Sequence, residues 1–290
     1  MQQNKNNLKE QIKKNKNIVF AAIAVLALVS YVIPFGTVAQ VSGQSYENLV
    51  EQTNFQSIED CEDDSTCVNF ARNLASFTDS SFNTLDQSND QSIDGVSDES
   101  TAANFGFNDA DFDNSNFNTV EQDNDQSITD VGDPSFATNI GVNDADFEDS
   151  DNNNLVQEND QTIDDITHDS SAANVGQNFA DFEDDSEDND VRQDNDQNIE
   201  DVSKGSEAAN IAQNDVELED DSDGNTVDQD NRQDIDKVKK GSEATNTAEN
   251  NAEFDDSDDN NVEQDNDQEI KDVSKGSSAE NDAQNDVSFN

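Results

Sequence analysis

Two stretches of the chain, VEQDNDQSI at residues 120–128 and ATNIGVNDADF at residues 137–147, decide the fold. In each stretch, similar side chains recur at every second position, the period at which a β-strand places residues on one face. One face of the first stretch consists of Val120, Gln122, Asn124, Gln126 and Ile128. One face of the second consists of Ala137, Asn139, Gly141, Asn143, Ala145 and Phe147. We therefore expect two strands joined by a loop of about eight residues.

The first pattern, Gln-x-Asn-x-Gln-x-Ile, occurs seven times at a spacing of 35 or 36 residues. Its two glutamines are, copy by copy, Gln52 and Gln56, Gln87 and Gln91, Gln122 and Gln126, Gln157 and Gln161, Gln193 and Gln197, Gln229 and Gln233, and Gln264 and Gln268. A version of the second pattern follows each copy. Self-similarity at such a period indicates stacked structural units. The sequence thus predicts an all-β fold, a two-sheet β-solenoid of seven 35–36-residue rungs over residues 50–290, with two strands in each rung.

The faces that repeat are rich in Asn and Gln, and a single unit could not satisfy such amides in a buried core. If successive rungs lie ~4.8 Å apart, each side-chain amide can bond the same amide above and below, as in cross-β ladders. Strands that run in opposite directions across a core ~10 Å thick would pair Asn124 with Gly141, and Ile128 with Ala137. The candidate core therefore consists of the glutamine pairs together with Asn124, Ile128, Asn139, Asn143, Phe147 and their equivalents.

The two cysteines, Cys61 and Cys67, occupy positions that are apolar in the other units. Cys61 takes the place of an aliphatic residue such as Val96, and Cys67 that of an alanine such as Ala102. The predicted facing of the strands brings these two columns into contact. We therefore expect a Cys61–Cys67 disulfide that staples the first rung, as an even number of cysteines in an exported chain also suggests.

Residues 1–39 differ from the rest of the chain. Five lysines precede an apolar run at residues 18–33, and small residues precede Gln40. This order is typical of a helical secretory signal, and an uncleaved membrane anchor is the alternative. We expect residues 40–49 to be a linker, the remaining chain to lie outside the cell or on its surface, and any membrane contact to be made by the N-terminal segment.

The regular Gln and Asn spacing in strand–turn–strand units resembles the curlin repeats of bacterial curli fibres. The resemblance covers roughly residues 50–290 and rests on Gln122, Gln126, Asn139, Asn143 and their equivalents. It implies a two-sheet β-solenoid whose subunits join end to end into a functional amyloid of the cell surface or biofilm matrix. The units here are longer than curlin repeats, and their outward positions are more acidic.

The formal net charge of −55 disfavours nucleic acids and anionic membrane surfaces as partners. Acidic residues occupy outward strand positions and the loop before each glutamine pattern. These loops either form a solvated rim or bind calcium, which takes carboxylate and amide oxygens as ligands. The candidate calcium ligands are Asp149, Asp151, Asn153, Asp185, Glu187, Asn189, Asp221, Asp223, Asn225, Asp256, Asp258 and Asn260.

Nothing in the sequence indicates catalysis. His168, the one histidine, lies in a predicted loop, and the repeated carboxylates lack the differing environments that acid–base pairs require. We predict a structural subunit, not an enzyme, with no cofactor unless the loops bind calcium, and with copies of itself as partners in an extracellular fibre. The alternatives are a monomeric, calcium-dependent adhesion module and, given the 30% hydrophobic content, a disordered acidic tail.

Overall fold

The computed structural model describes residues 35–46, 48–183, 186–218, 223–254 and 260–289. These residues form two parallel sheets, and consecutive strands alternate between them. The eight-stranded sheet contains β1 (Phe35–Tyr46), β3 (Thr66–Ser81), β5 (Thr101–Asp113), β7 (Phe136–Glu148), β9 (Ser171–Glu183), β11 (Glu207–Leu218), β13 (Glu243–Phe254) and β15 (Ser278–Phe289). The seven-stranded sheet contains β2 (Leu49–Cys61), β4 (Thr84–Val96), β6 (Thr119–Val131), β8 (Asn154–Ile163), β10 (Asp190–Ile199), β12 (Thr226–Ile235) and β14 (Asn261–Ile270).

The predicted all-β, two-sheet β-solenoid of about seven turns is confirmed. We number the rungs along the chain, so that β2 and β3 form rung 1 and β14 and β15 form rung 7. Within the described ranges there is no helix, and hence none with the length and hydropathy needed to cross a bilayer. The predicted helical signal or anchor lies for the most part in residues 1–34, outside the described residues.

The rungs are stacked in register, so that equivalent residues of successive units are direct neighbours. Gln122 in β6 is the Cα partner of Gln87 on one side and of Gln157 on the other. Asn143 in β7 lies between Asn108 and Asn178 in the same way. The register holds because a slip of one residue would turn every amide and apolar side chain of a strand to the opposite face.

Apolar columns close the interior at both ends of the facing strands. At one end, aromatic side chains stack with ring centroids 4.7 Å apart for Phe77 and Phe112, 4.9 Å for Phe112 and Phe147, and 4.8 Å for Phe147 and Phe182. At the other end, Ile and Val columns of the seven-stranded sheet pack against the alanine column that includes Ala137. The amide ladders lie between these two apolar clusters.

The corners between strands depend on columns of left-handed residues. One column comprises Asp63, Asp98, Asp133, His168, Lys204, Lys240 and Lys275, all with φ between 53° and 63°. A second comprises Asp60, Gly95, Asp130, Asp165, Asp201, Lys237 and Asp272. Asp and Gly are among the residues that adopt this conformation most readily, which accounts for their recurrence at the corners.

Strand β1 occupies residues that were expected to be the end of the signal and part of the linker at 40–49. It pairs in parallel with β3 and places Thr37 opposite Asn73, Ala39 opposite Ala75 and Val41 opposite Phe77. Its sequence thus repeats half of the second strand pattern, with Thr in the place of Asn. The single degenerate copy lacks the glutamine pattern that identified the other units, and this is why it was not predicted.

Candidate functional site: amide ladders and open end rungs

The glutamine columns are continuous hydrogen-bonded ladders. Gln122 Nε2 donates to Gln87 Oε1 at 3.0 Å, and Gln157 Nε2 donates to Gln122 Oε1 at 2.9 Å. The second proton of Gln122 Nε2 goes across the core to the carbonyl oxygen of Asp144 at 2.9 Å. Each glutamine therefore ties neighbouring rungs together and also ties the two sheets together.

The asparagine columns do the same from both sheets. Asn143 Nδ2 donates to Asn178 Oδ1 and to the carbonyl oxygen of Glu158, each at 2.9 Å. Asn143 Oδ1 accepts from Asn108 and Asn124, also at 2.9 Å each. Because every interior amide has partners above, below and across, the polar core is satisfied at the level that buried amides require.

The facing of the two strands agrees with the sequence prediction. A Cβ atom placed on Gly141 would lie 3.1 Å from the Cβ atom of Asn124 and would collide with Asn159 Oδ1. The glycine therefore makes room for the asparagines of the opposite sheet. Ile128 and Ala137 share one apolar cluster, and Val120, Ala145 and Phe147 share the other.

Cys61 and Cys67 form a disulfide with a Cα–Cα distance of 6.0 Å. Cys61 is aligned with Val96 and Cys67 with Ala102, the columns that were expected to meet. The bond thus replaces the Val–Ala contact of the other rungs and joins the two strands of rung 1.

The asparagines predicted as calcium ligands belong to a further ladder, at the corner before each glutamine strand. Asn153 Oδ1 accepts from the backbone N–H of Asn118 at 3.0 Å and from its side chain at 2.9 Å. Asn189 Oδ1 accepts in the same way from Asn153, and Asn225 Oδ1 accepts from the N–H of Asn189 at 2.8 Å. Asn260 Oδ1 accepts from the N–H of Asn225 at 2.7 Å. These amide oxygens accept hydrogen bonds within the corner ladder.

Buried serines accompany this ladder. The backbone N–H of Ser115 donates to Ser150 Oγ at 3.0 Å, and that of Ser150 to Ser186 Oγ at 3.2 Å. Sequence reasoning interpreted these loops as a solvated acidic rim or a calcium site and missed the serines, although Ser and Asn recur in them at the repeat spacing. Of the carboxylates predicted as ligands, Asp151 Oδ1 accepts from the N–H of Glu187 at 3.0 Å. Asp185, Asp221, Asp256 and Asp258 lie outside the described residues, and the calcium interpretation stays a prediction.

Carboxylates form columns on the outward side of the seven-stranded sheet. Asp123 is aligned with Glu158, and Asp125 with Asp90 and Asp160. At ~4.8 Å, two unit charges repel by about 1 to 3 kcal/mol. Burial, together with the charges of Asp125 and Glu158, raises the pKa of Asp123 to about 7. Folding of this sheet therefore brings carboxylates close together despite their mutual repulsion.

Two further aspartates show the same effect. Burial and the carboxylates around it, Asp111 first, raise the pKa of Asp146 to about 6. Burial and Asp230 raise the pKa of Asp194 to about 6 as well. Cations offset a part of the repulsion, since Lys271 Nζ lies 2.9 Å from Asp234 and Arg232 lies 3.8 Å from Asp196. These pairs are exposed and each contributes little.

The outward side of the eight-stranded sheet is not uniformly acidic. In its N-terminal half, outward positions carry apolar residues that pack together, with Ala103 and Phe105 buried and Phe70, Phe107 and Val142 half-buried. Acidic outward residues replace them in β15, where Glu280 and Asp282 stand. The polarity of the outer surface therefore changes along the stack.

A cluster that was not predicted lies at the opposite corner. Carboxylate oxygens of Asp164, Asp165 and Asp201 lie within 4.8 Å of one another. Lys237 Nζ, from the next rung, lies 3.0 Å from Asp201 Oδ2. The lysine supplies a counter-charge to this cluster from within the chain. His168, at the neighbouring corner column, contacts Lys204 Nζ through its Nε2 at 2.6 Å.

Rung 7 is the last rung that the structure describes. Strands β14 and β15 are each the last strand of their sheet within the described residues. The inward Gln264, Asn266 and Gln268 are half-buried, whereas their equivalents one rung earlier are buried. Gln264 Nε2 donates back to Gln229 Oε1 at 2.7 Å, which leaves the outer side of rung 7 as an unextended amide ladder.

The end rungs and the ladders that reach them are thus the candidate functional surfaces among the described residues. They can extend hydrogen bonding to any strand of matching pattern. Comparison with known proteins gives no match to a family model, a curated protein or a solved structure.

Proposed function

We propose that the protein is an extracellular structural subunit that assembles end to end into a fibre. Rung 7 carries the proposal, because it displays the same inward columns as the interior rungs and no described strand follows it. Strand edges of this kind recruit further strands. A second copy supplies strands with the same Gln, Asn and Ile columns, and identical amides form the most regular ladders.

The outward carboxylates suit such a fibre. Stacked copies would present continuous acidic columns, and fibres of the same charge repel one another. The surface therefore favours growth along the axis over lateral clumping. The lysine-rich and apolar leader supports export, and the curlin-like spacing supports the same role at the cell surface or in a biofilm matrix.

The test is assembly of the purified chain at rising protein concentration, with and without calcium and with 0.1 to 1 M salt, about the range over which screening shortens from ~10 to ~3 Å. We expect seeded, concentration-dependent fibres whose diffraction shows a meridional spacing of about 4.8 Å. A chain that stays monomeric in all of these conditions would refute the proposal.

A pair of variants on β14 sharpens the test. Asn266 is half-buried and inward, so Asn266→Lys places a charge inside any junction at rung 7, and far-UV circular dichroism checks that the variant keeps its sheet content. Asp267 is exposed and outward on the same strand, so Asp267→Lys adds a lysine without entering the junction. We expect Asn266→Lys to stop elongation and Asp267→Lys to permit it.

The same samples test the alternative, a calcium-dependent adhesion module. Circular dichroism that changes from coil to sheet on addition of calcium, with sedimentation as a monomer, would favour the module over the fibre subunit. Sheet content that is already present without calcium, followed by assembly, would favour the fibre.

A further inference from the structure

The two sheets do not contain the same number of strands. The eight-stranded sheet runs from β1 to β15, and the seven-stranded sheet runs from β2 to β14. In an end-to-end stack, β14 of one copy would pair with β2 of the next. On the other sheet β15 would need to pair with β3, whose edge is occupied by β1. A stack that kept β1 would gain one extra strand, ~4.8 Å, on one sheet at every junction.

Strand β1 is a poorer partner for β3 than β15 of a second copy would be. Its register with β3 shifts between Ser42 and Ser45. It also places Thr37 opposite Asn73, where interior rungs place Asn against Asn. Projected through the repeat, β15 would pair without a shift and set Asn281 against Asn69.

We propose that rung 7 of one copy docks on rung 1 of a second copy, and that β1 is a cap that must leave β3 before this contact forms. The proposal rests on the function proposed above. It adds the direction in which copies join and the step, departure of β1 from β3, that must come first. The exchange replaces a strand whose register is interrupted by one that pairs without a shift. It is therefore favoured once a second copy is present.

Hydrogen-bond direction fits the same docking. Asn69 Nδ2 donates to Asn104 Oδ1 at 2.9 Å, and the column continues in this sense to Asn281. Among the described residues, none donates to Asn69 Oδ1, while Asn281 Nδ2 donates only to the Gln268 carbonyl oxygen, at 3.0 Å. The end that carries rung 7 thus offers a donor where the end that carries rung 1 offers an acceptor.

Charge fits as well. Outward positions of β14 carry Glu263, Asp265, Asp267 and Glu269, whereas the equivalent positions of β2 carry Glu51, Thr53, Phe55 and Ser57, with Glu59 following. On the other sheet, β15 presents Glu280 and Asp282 to positions that carry Val68 and Phe70 in β3. Contact between two copies of rung 7 would oppose acid to acid. Rung 7 against rung 1 instead places most of these acids beside neutral residues, so growth has one polarity.

The leader supplies a way to weaken the cap. The predicted cleavage before Gln40 falls inside β1 and would remove Thr37 and Ala39, which are in register with Asn73 and Ala75. Processing during export would then coincide with exposure of β3. Assembly would be delayed until the chain reaches the compartment in which the fibre is built.

The experiment measures seeded elongation of the full chain, with fibre ends of the parent protein as seeds. The double variant Val38→Pro/Ala39→Pro removes a β1–β3 hydrogen bond, because successive N–H groups point to opposite sides of a strand. We expect it to elongate severalfold faster than the parent. Thr37→Asn places Asn in register with Asn73, as in the interior rungs, and should slow elongation severalfold. The control Val38→Asn, on the other face of β1, should leave the rate near that of the parent.

The opposite pattern would overturn the cap. If copies add onto β1, the proline variant slows elongation and Thr37→Asn accelerates it. Unchanged elongation rates in both variants would refute the role of β1 as a cap without refuting assembly into a fibre. If neither the parent nor the proline variant forms fibres, the proposed function and the cap both fall.

A second pair of variants tests the polarity. Phe55 is 71% exposed in rung 1, and Phe55→Asp would give β2 the acid that other rungs carry at this position. Phe136 is 44% exposed in the interior of the stack, so Phe136→Asp adds the same charge away from the junction. We expect severalfold slower elongation for Phe55→Asp alone. Equal rates for the two variants would refute the docking of rung 7 on rung 1.

Discussion

The substitution Asn195→Ala tests how far the amide ladders stabilise the fold. Asn195 lies on β10 in the interior of the stack and is fully buried. Its Nδ2 donates to Asn214 Oδ1 at 2.8 Å, to Asn231 Oδ1 at 2.9 Å and to a β11 carbonyl at 3.2 Å. Its Oδ1 accepts from Asn159 at 2.9 Å and from Asn178 at 3.3 Å.

The expected loss follows from these five contacts. A net contribution of about 0.5 to 1.5 kcal/mol for each hydrogen bond gives several kcal/mol. The partners keep some of their other bonds, which lowers the total. We therefore expect Asn195→Ala to reduce the free energy of unfolding by about 3 to 5 kcal/mol.

The matched control is Asn198→Ala on the same strand. Asn198 points outward and makes a single side-chain bond of 3.3 Å to Glu200, so its removal should cost within about 0.5 kcal/mol. Urea unfolding followed by far-UV circular dichroism gives both values under conditions that keep the protein monomeric. Equal losses for Asn195→Ala and Asn198→Ala would refute the view that the ladders hold the rungs together.

Three further outcomes are expected. Burial and neighbouring carboxylates raise the pKa of Asp123 to about 7, above its usual value near 4, so protonation of Asp123 favours the folded state. The Tm should therefore fall as the pH rises from 5 to 8, and Asp123→Asn should make this fall smaller. Phe147→Ala should cost about 3 to 5 kcal/mol in urea unfolding, whereas Phe147→Leu should cost less than about 1.5 kcal/mol because Leu218 holds the same column position. Replacing Cys61 by Val and Cys67 by Ala, the residues of the other rungs, should lower the free energy of unfolding by about 2 kcal/mol. Replacing both cysteines by Ser should lower it further, and an equal loss in the two double variants would contradict the column assignment.

The sequence was sufficient to predict the stack because its signals are of two independent kinds. Alternation defines the strands, and the spacing of the glutamines requires that Gln122 meet its equivalents in adjacent rungs. The pairing of Asn124 with Gly141 followed from volume alone, since a large side chain needs a small one opposite. These inferences use side-chain size and periodicity, which are visible in the sequence.

The corners and the N-terminal edge were not predictable in this way. Lys204 adopts the left-handed conformation at a corner. Its residue type does not indicate this, because lysine is uncommon in the left-handed region. Asn153 was named as a candidate calcium ligand because its amide oxygen suits a metal as well as it suits a backbone N–H, and the corner ladder was not foreseen. Strand β1 lacks the glutamine pattern. Its partial match to the second strand pattern, with Thr37 in the place of Asn, is recognised only from its register with β3.

Each described rung contacts only its neighbours along the stack, and this affects how the number of encoded units can change. Unequal recombination that inserts or deletes one complete unit would lengthen or shorten the molecule by a single strand spacing. The first and last units would survive the event unaltered, so daughter proteins of different sizes could still recognise one another. Molecular length is thus free to vary under selection while the means of joining stays constant.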